Sequence, residues 1–225
     1  MKKIALSFLL TVFVTSVFAQ KTTTRNLKKF THIYVSEGIN VHLIKGALHS
    51  AKITANGIDI EDILTEVSGV NLKIHLSGSM HRNVDVSIDL TYVDLEEVTA
   101  SSAAEVKSTT VIEANVFKIE ALSAADIELI LKVNDLTVEA SSAADVVVSG
   151  TTDNQTVNIS SASEYKAFDL VSKVATISAS SASSAKVQVT ENLFANANSG
   201  ASITYKGSPD KVKEKSLSGG DVEQY

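Results

Sequence analysis

Four acidic side chains recur at near-equal intervals along the chain: Glu105, Asp126, Asp145 and Glu164. Carboxylates in such a row could gather Ca²⁺, or could form the acid cluster of a polysaccharide-cleaving enzyme. Calcium takes about six to eight oxygen ligands, and one carboxylate per interval supplies too few. The glycine-rich G-G-x-G-x-D calcium repeat is also absent. The favoured reading is a ladder of solvated acids, repelling one another by about 1 kcal/mol per close pair in water. Such charges keep a surface soluble and oppose sideways association. Three residues before each acid stands a serine, and the series runs on: Ser102, Ser123, Ser142, Ser161, Ser181 and Ser199. No G-x-S-x-G elbow surrounds any of them, and equivalent serines are not one activated nucleophile. Their expected role is structural. The histidines (His32, His42, His49, His75 and His81) lack metal-ligand spacing, and His32, His42 and His75 fall on the polar phase of strands, where they are expected to be exposed. No catalytic residue, cofactor or metal is assigned.

The elements that carry these rows follow from the repeat. The phrases ASSAAEV, ALSAADI, ASSAADV, ISSASEY, ASSASSA and ANSGASI begin at residues 100, 121, 140, 159, 179 and 197. Between them lie alternating stretches such as Leu136, Val138, Ala140 and Val146, Val148, the period of a half-buried strand. Helical spacing is missing, and the residue pairs of tight hairpins are scarce. Strands that return in this way must coil, each lying parallel to its copy in the next turn. The expected fold is all-β: a right-handed parallel β-helix, or β-solenoid, with turns of about 19–20 residues, stacked about 4.8 Å apart. The small residues mark the corner where two sheets converge. The serine column is expected inside that corner, passing hydrogen bonds up the stack.

The opening MKKIALSFLLTVFVTSVFAQ has a basic start, an apolar run and small residues before a cut after Ala19, the pattern of a secretory signal peptide at residues 1–19. No later segment is apolar enough to span a bilayer, so no membrane insertion of the mature chain is expected. With no cysteine, disulfides and lipid attachment at an N-terminal cysteine are excluded. Removing Lys2 and Lys3 leaves 18 basic against 26 acidic residues, a net charge of −8. That balance argues against nucleic acid as a partner and against electrostatic binding to a membrane surface.

The region before the repeats is less regular. Ile33, Val35, Ile39, Val41 and Leu43 alternate around Gly38-Ile39-Asn40, and further strands are expected near residues 51–55, 72–76 and 84–88, as additional turns with longer excursions. Gly38 is expected at a bend of positive φ and Asn40 in a turn hydrogen bond. The phrase FTHIYVSEGINVHLIKG (30–46), the small-Ser-small-acid repeats, ITYKGSP (203–209) and SLSGGDV near the end together resemble the auto-transporter adhesin head family called the GIN domain. The resemblance covers residues 28–220, read as one domain with irregular turns at 28–98 and regular repeats at 99–207. It implies a parallel β-helix exported to the periplasm, outer-membrane surface or exterior of a Bacteroidota-type bacterium, and it supplies no catalytic residues. Alanine stands where the family more often has glycine in S-G-S-G-D, so more extended corners are expected here. Two function classes follow: a non-enzymatic adhesin-like envelope protein binding an extracellular protein or glycan, with a homo-oligomer also allowed, or a polysaccharide-active β-helix lyase or hydrolase. A calcium-binding envelope scaffold is the variant of the first that the acid ladder would support.

Overall fold

The computed structural model describes residues 21–78 and 83–225; the signal peptide read at 1–19 and His81 lie outside them. The chain opens with β1 (Lys21–Asn26), β2 (His32–Val35), β3 (Asn40–Lys45) and β4 (Ser50–Asn56), then a 3-10 turn at Ile60–Asp62. β5 (Ile63–Ser68), β6 (Asn71–Leu76), β7 (Asp85–Tyr92) and β8 (Glu97–Ala100) follow. The repeats form β9 (Glu105–Leu122), β10 (Asp126–Ser141), β11 (Asp145–Ile159), β12 (Glu164–Ala179) and β13 (Ser184–Asn198). The chain closes with β14 (Ser202–Lys206), β15 (Lys211–Leu217) and β16 (Asp221–Gln224), and no α-helix occurs among the described residues.

The repeat strands wind in parallel coils, and the whole is a β-solenoid of about seven turns. Each long strand runs from one corner to the next, so its two ends lie on different flanks. Face A, following the corner, carries β7, β3, the first parts of β9 to β13, then β14 and β16. Face B, leading into the corner, carries β6, β2, β8, the last parts of β9 to β13, and β15. Inward columns such as Val106, Ile127, Val146, Tyr165, Ala185 and Ile203 are buried at 0–1% exposure. The core is one continuous strip, because parallel stacking brings like residues over like.

The corners differ from the expectation in two respects. The serine column is stacked but lies outside: Ser102, Ser123, Ser142, Ser161, Ser181 and Ser199 are all exposed. Alanine does not extend the corner either, since Ser102 and Ala103 have φ of 53° and 59°, and the later pairs repeat this. Two successive left-handed residues, closed by bonds such as Ala104 N–H to Ser101 O at 3.1 Å, make a turn of the I′ kind. Such φ values cost a non-glycine residue about 1 kcal/mol or more each. A main-chain ladder offsets that cost: Ala103 N–H donates to Ser123 O, Ala124 to Ser142 O, Ala143 to Ser161 O, and onward to Gly200 and Ser218 O at 3.2 Å. The apex therefore points its side chains at solvent, and the following residue turns inward. Ala104, Ala125, Ala144, Ser163, Ser183 and Ala201 are buried at 0–1%. Ser163 Oγ donates to Ala140 O at 3.1 Å and Ser183 Oγ to Ile159 O at 3.2 Å. The hydroxyl chemistry expected of the serine column thus belongs to this inner column.

Two further corners complete the stack. Glu37 (φ 65°) and Gly38 (φ 68°) form the first, with Gly38 N–H bonded to Ser102 O at 2.9 Å, and Ser218 with Gly219 forms the last. Positive φ at Gly38 matches the expectation. Asn40 does not: it is the first residue of β3, in register with Glu105 and Ser87, and makes no turn bond. The closing corner, Ser216 to Val222, extends the period past residue 207, and the sheet takes in β1 and β16 on either side of the expected 28–220 span.

The N-terminal turns are not simply successive coils. β4 runs antiparallel to both β1 and β7, and β5 antiparallel to β6. The spatial order β1-β4-β7-β3-β9 places the coil of β6 and β7 outside that of β2 and β3. The chain thus climbs past its first coil, reverses, and comes back over it. The reversal covers the first coil with antiparallel strands, leaving β1 and β5 as the edges, and buries Ile53 and Ile63 completely. Arg25 fastens the cap, donating from Nη2 to Ile60 O at 2.8 Å and from Nη1 to Ile63 O at 2.5 Å.

Candidate binding face

The acid ladder is held on face A. Glu105, Asp126, Asp145 and Glu164 stand in strict register on adjacent coils. Lysines two residues after Glu105, Glu164 and Ser184 interleave with them. Lys107 pairs with Glu105 and reaches Glu128 at 3.6 Å; Lys166 sits 3.6 Å from Asp145 and 2.9 Å from Glu164; Lys186 lies 3.7 Å from Glu164. Asp126 has no lysine partner at that range, and burial, then the charges of Asp145 and Glu105, raise its pKa. No three His, Asp or Glu side chains among the described residues converge as a ligand set. The acids form a row whose charge is offset by lysines in the same sheet. The sequence carried a signal for these lysines, in E-V-K, E-Y-K and S-A-K.

A break in the repeat lies where residues 93–96 cross back over the first coil. Glu96 N–H donates to Thr31 O at 2.8 Å, Lys118 N–H donates to Glu96 O at 2.9 Å, and buried Leu95 anchors the segment. Beside it opens a cleft of about 530 Å³ lined by His32, Asp94, Glu97, Glu113 and Lys118 among others. Its charges are largely committed to each other. His32 lies 3.6 Å from Glu96 and 3.5 Å from Glu97, and Lys118 reaches Glu97 at 3.7 Å, Glu120 at 3.3 Å and Glu139 at 3.9 Å. Burial lowers the Lys118 pKa, but these carboxylates outweigh it and leave the ammonium raised. The other histidines divide. His42 is exposed near Asp89, and His75 is half-buried at 3.2 Å from Glu66. The His49 ring lies 4.5 Å from that of Phe30, tilted by 53°, and burial pushes its pKa down.

Beyond the cleft, face B changes character. The outward residues of β11, β12 and β13 are Asn154, Thr156 and Asn158, then Val174, Thr176 and Ser178, then Asn192, Phe194 and Asn196. No charge occurs in these rows. The acids Asp135 and Glu139 border them on β10, and Lys211, Lys213 and Lys215 border them on β15. Asn154 donates to Asp135 at 2.8 Å, whereas Thr156, Asn158, Thr176, Ser178 and Asn196 make no side-chain hydrogen bond within the chain. Lys211 and Lys213 each stand 5.7 Å from the centre of the Phe194 ring. Sequence reading missed this face because its residues are individually ordinary; only the register assembles them.

Residues 29–209 match the family model described as "Putative auto-transporter adhesin, head GIN domain". The chain belongs to that family. The GIN-domain fold is also shared with solved structures at low identity. A putative adhesin from Bacteroides fragilis NCTC 9343 superposes with a TM-score of 0.84 at 17% identity, covering 92% of this chain and 97% of that one. A putative adhesin from Parabacteroides merdae ATCC 43184 gives 0.71 at 18%, covering 92% and 96%. A protein from Parabacteroides distasonis ATCC 8503, described as a putative lipid binding protein, gives 0.69 at 17%, covering 92% and 96%. None of the curated proteins matches this chain. These likenesses concern the fold; the family itself is associated with an adhesin-like role.

Proposed function

We propose that the mature chain is exported to the cell envelope or beyond it and works there as a non-enzymatic, adhesin-like binding protein that presents face B. The observation that carries this reading is the uncharged outward surface of β11 to β13, set in a molecule whose other flank is laced with ion pairs. Apart from Asn154, which donates to Asp135, its hydroxyls and amides make no side-chain hydrogen bond among the described residues. Family membership supports the adhesin-like role, and the leader at residues 1–19 supports export. The experiment is to apply the purified mature chain to arrays of glycans and host-matrix proteins, with reducing-sugar and unsaturated-product assays in parallel. Binding without turnover is expected, lost on placing charges at Ser178 and Asn196 and kept on replacing Lys186 of face A. Turnover of any polysaccharide would replace the reading with an enzymatic one.

A further inference from the structure

Building on the reading of face B as the binding surface, we infer that its ligand is an uncharged glycan chain seated on two adjacent columns: Thr156, Thr176 and Phe194, and Asn158, Ser178 and Asn196. The columns are in register across β11, β12 and β13. Neighbouring coils stand about 4.8 Å apart, and outward residues along a parallel strand about 6.6 Å apart. They form a grid of five hydrogen-bonding side chains and one ring. The chemistry of the grid selects among partners. An amide offers both donors and an acceptor, and a hydroxyl plays either role, so the grid can meet sugar hydroxyls that also donate and accept. A carboxylate or an ammonium meets only one of those roles. The side chains concerned, apart from Phe194, have no hydrogen bond to give up within the chain.

Charge complementarity points the same way. The platform is neutral and lies between an acidic border, Asp135 and Glu139, and a basic one, Lys211 to Lys215. A polyanion laid along it would meet the acids, and a polycation would meet the lysines, whereas an uncharged chain meets neither penalty. The cores of protein–protein interfaces are rich in aromatic residues, methionine and arginine, while this surface carries one ring. That ring, Phe194, is half-buried and oriented by Lys211 and Lys213 at 5.7 Å, and it gives the C–H face of a pyranose an apolar patch within an otherwise polar grid.

The test is affinity electrophoresis of the mature chain in gels containing neutral polysaccharides (dextran, mannan, a mixed-linkage glucan, a galactan) or anionic ones (polygalacturonate, heparin). The same samples are run on a matrix-protein array and through sedimentation analysis. The wild type should be retarded by at least one neutral polysaccharide, with little loss at about 0.5 M salt, where exposed charge interactions are screened. The variant Asn158→Asp/Ser178→Asp/Asn196→Asp should bind about tenfold more weakly or worse, and Phe194→Ala should also weaken binding, while Lys186→Glu on face A changes nothing. Thermal melts of each variant establish that the fold is intact; should the triple variant not fold, the single Ser178→Asp is read instead. Retardation by anionic polysaccharides alone, or by none, overturns the inference. Binding of a matrix protein, or self-association, that is lost with the face B variants also overturns the glycan inference but leaves face B as the binding surface. Binding governed by Lys186 overturns both.

Discussion

Faces A and B of the solenoid share one core and differ on the outside over the coils that follow β10. On both, inward residues alternate with outward ones and stack into buried columns, and both meet at the same small-residue corner. Outside, face A sets Glu105, Asp126, Asp145 and Glu164 against Lys107, Lys166 and Lys186, whereas the middle of face B is amide and hydroxyl around Val174 and Phe194. The inner pattern answers to folding, because an interior position tolerates little change in size. The outer pattern is left open by folding. Face A can be explained by charge balance within a sheet, while the polar side chains of face B other than Asn154 have no such internal partner, and this directs attention to an external one.

The largest expected effect tests what the two faces share. Ala144 is fully buried at the corner and Ser142 is exposed at its apex. Ala144→Leu should destabilise by about 1–3 kcal/mol through overpacking, and Ser142→Leu by less than about 1 kcal/mol, as measured by denaturant midpoints. Equal losses would mean that the inner column does not govern how the faces meet.

A loss of similar size is expected from the polar network buried away from the corner. Tyr165 donates to Gln155 Oε1 at 3.0 Å, Gln155 Nε2 donates to Ser172 Oγ at 2.7 Å, and Ser172 Oγ donates to Gln188 O at 2.7 Å. Tyr165→Phe leaves the buried amide oxygen without its donor, and should cost about 1–3 kcal/mol. The change lies beneath both faces, so binding at face B should persist in the folded fraction; binding lost in step with the substitution at a temperature where the variant remains folded would tie the face to this network.

The smallest effect separates the faces by pH. Burial, followed by Asp145 and Glu105, raises the Asp126 pKa. The stability that this group contributes is therefore complete below the ordinary aspartate pKa and is lost as pH rises through the raised one. At neutral pH, Asp126→Asn should stabilise by a few tenths of a kcal/mol, since the site is mostly exposed, and the gain should vanish toward pH 3. Ser178→Asp on face B, flanked by Asn158 and Asn196, has no neighbouring acid in its column and should show no comparable gain at low pH. Melting curves across that range check both.

The period, the parallel coil, the inward columns and positive φ at Gly38 could all be read from residue types and spacing. Burial imposes a one-dimensional alternation on the chain, and recurrence of that alternation every 18 to 21 residues requires stacked strands. The lysines of face A were within reach in the same way, two residues after Glu105, Glu164 and Ser184. The left-handed Ser-Ala corners were not, because serine and alanine do not announce positive φ as Asn-Gly does. Those φ values are held by hydrogen bonds to the next coil, such as Ala124 to Ser142. The order of the first coils likewise rests on contacts between distant residues, Gly38 with Ser102 and Thr31 with Glu96. Only tertiary structure decided which side chain of each corner points inward and which polar residues share a face, because both depend on the register between coils and no single strand contains that information.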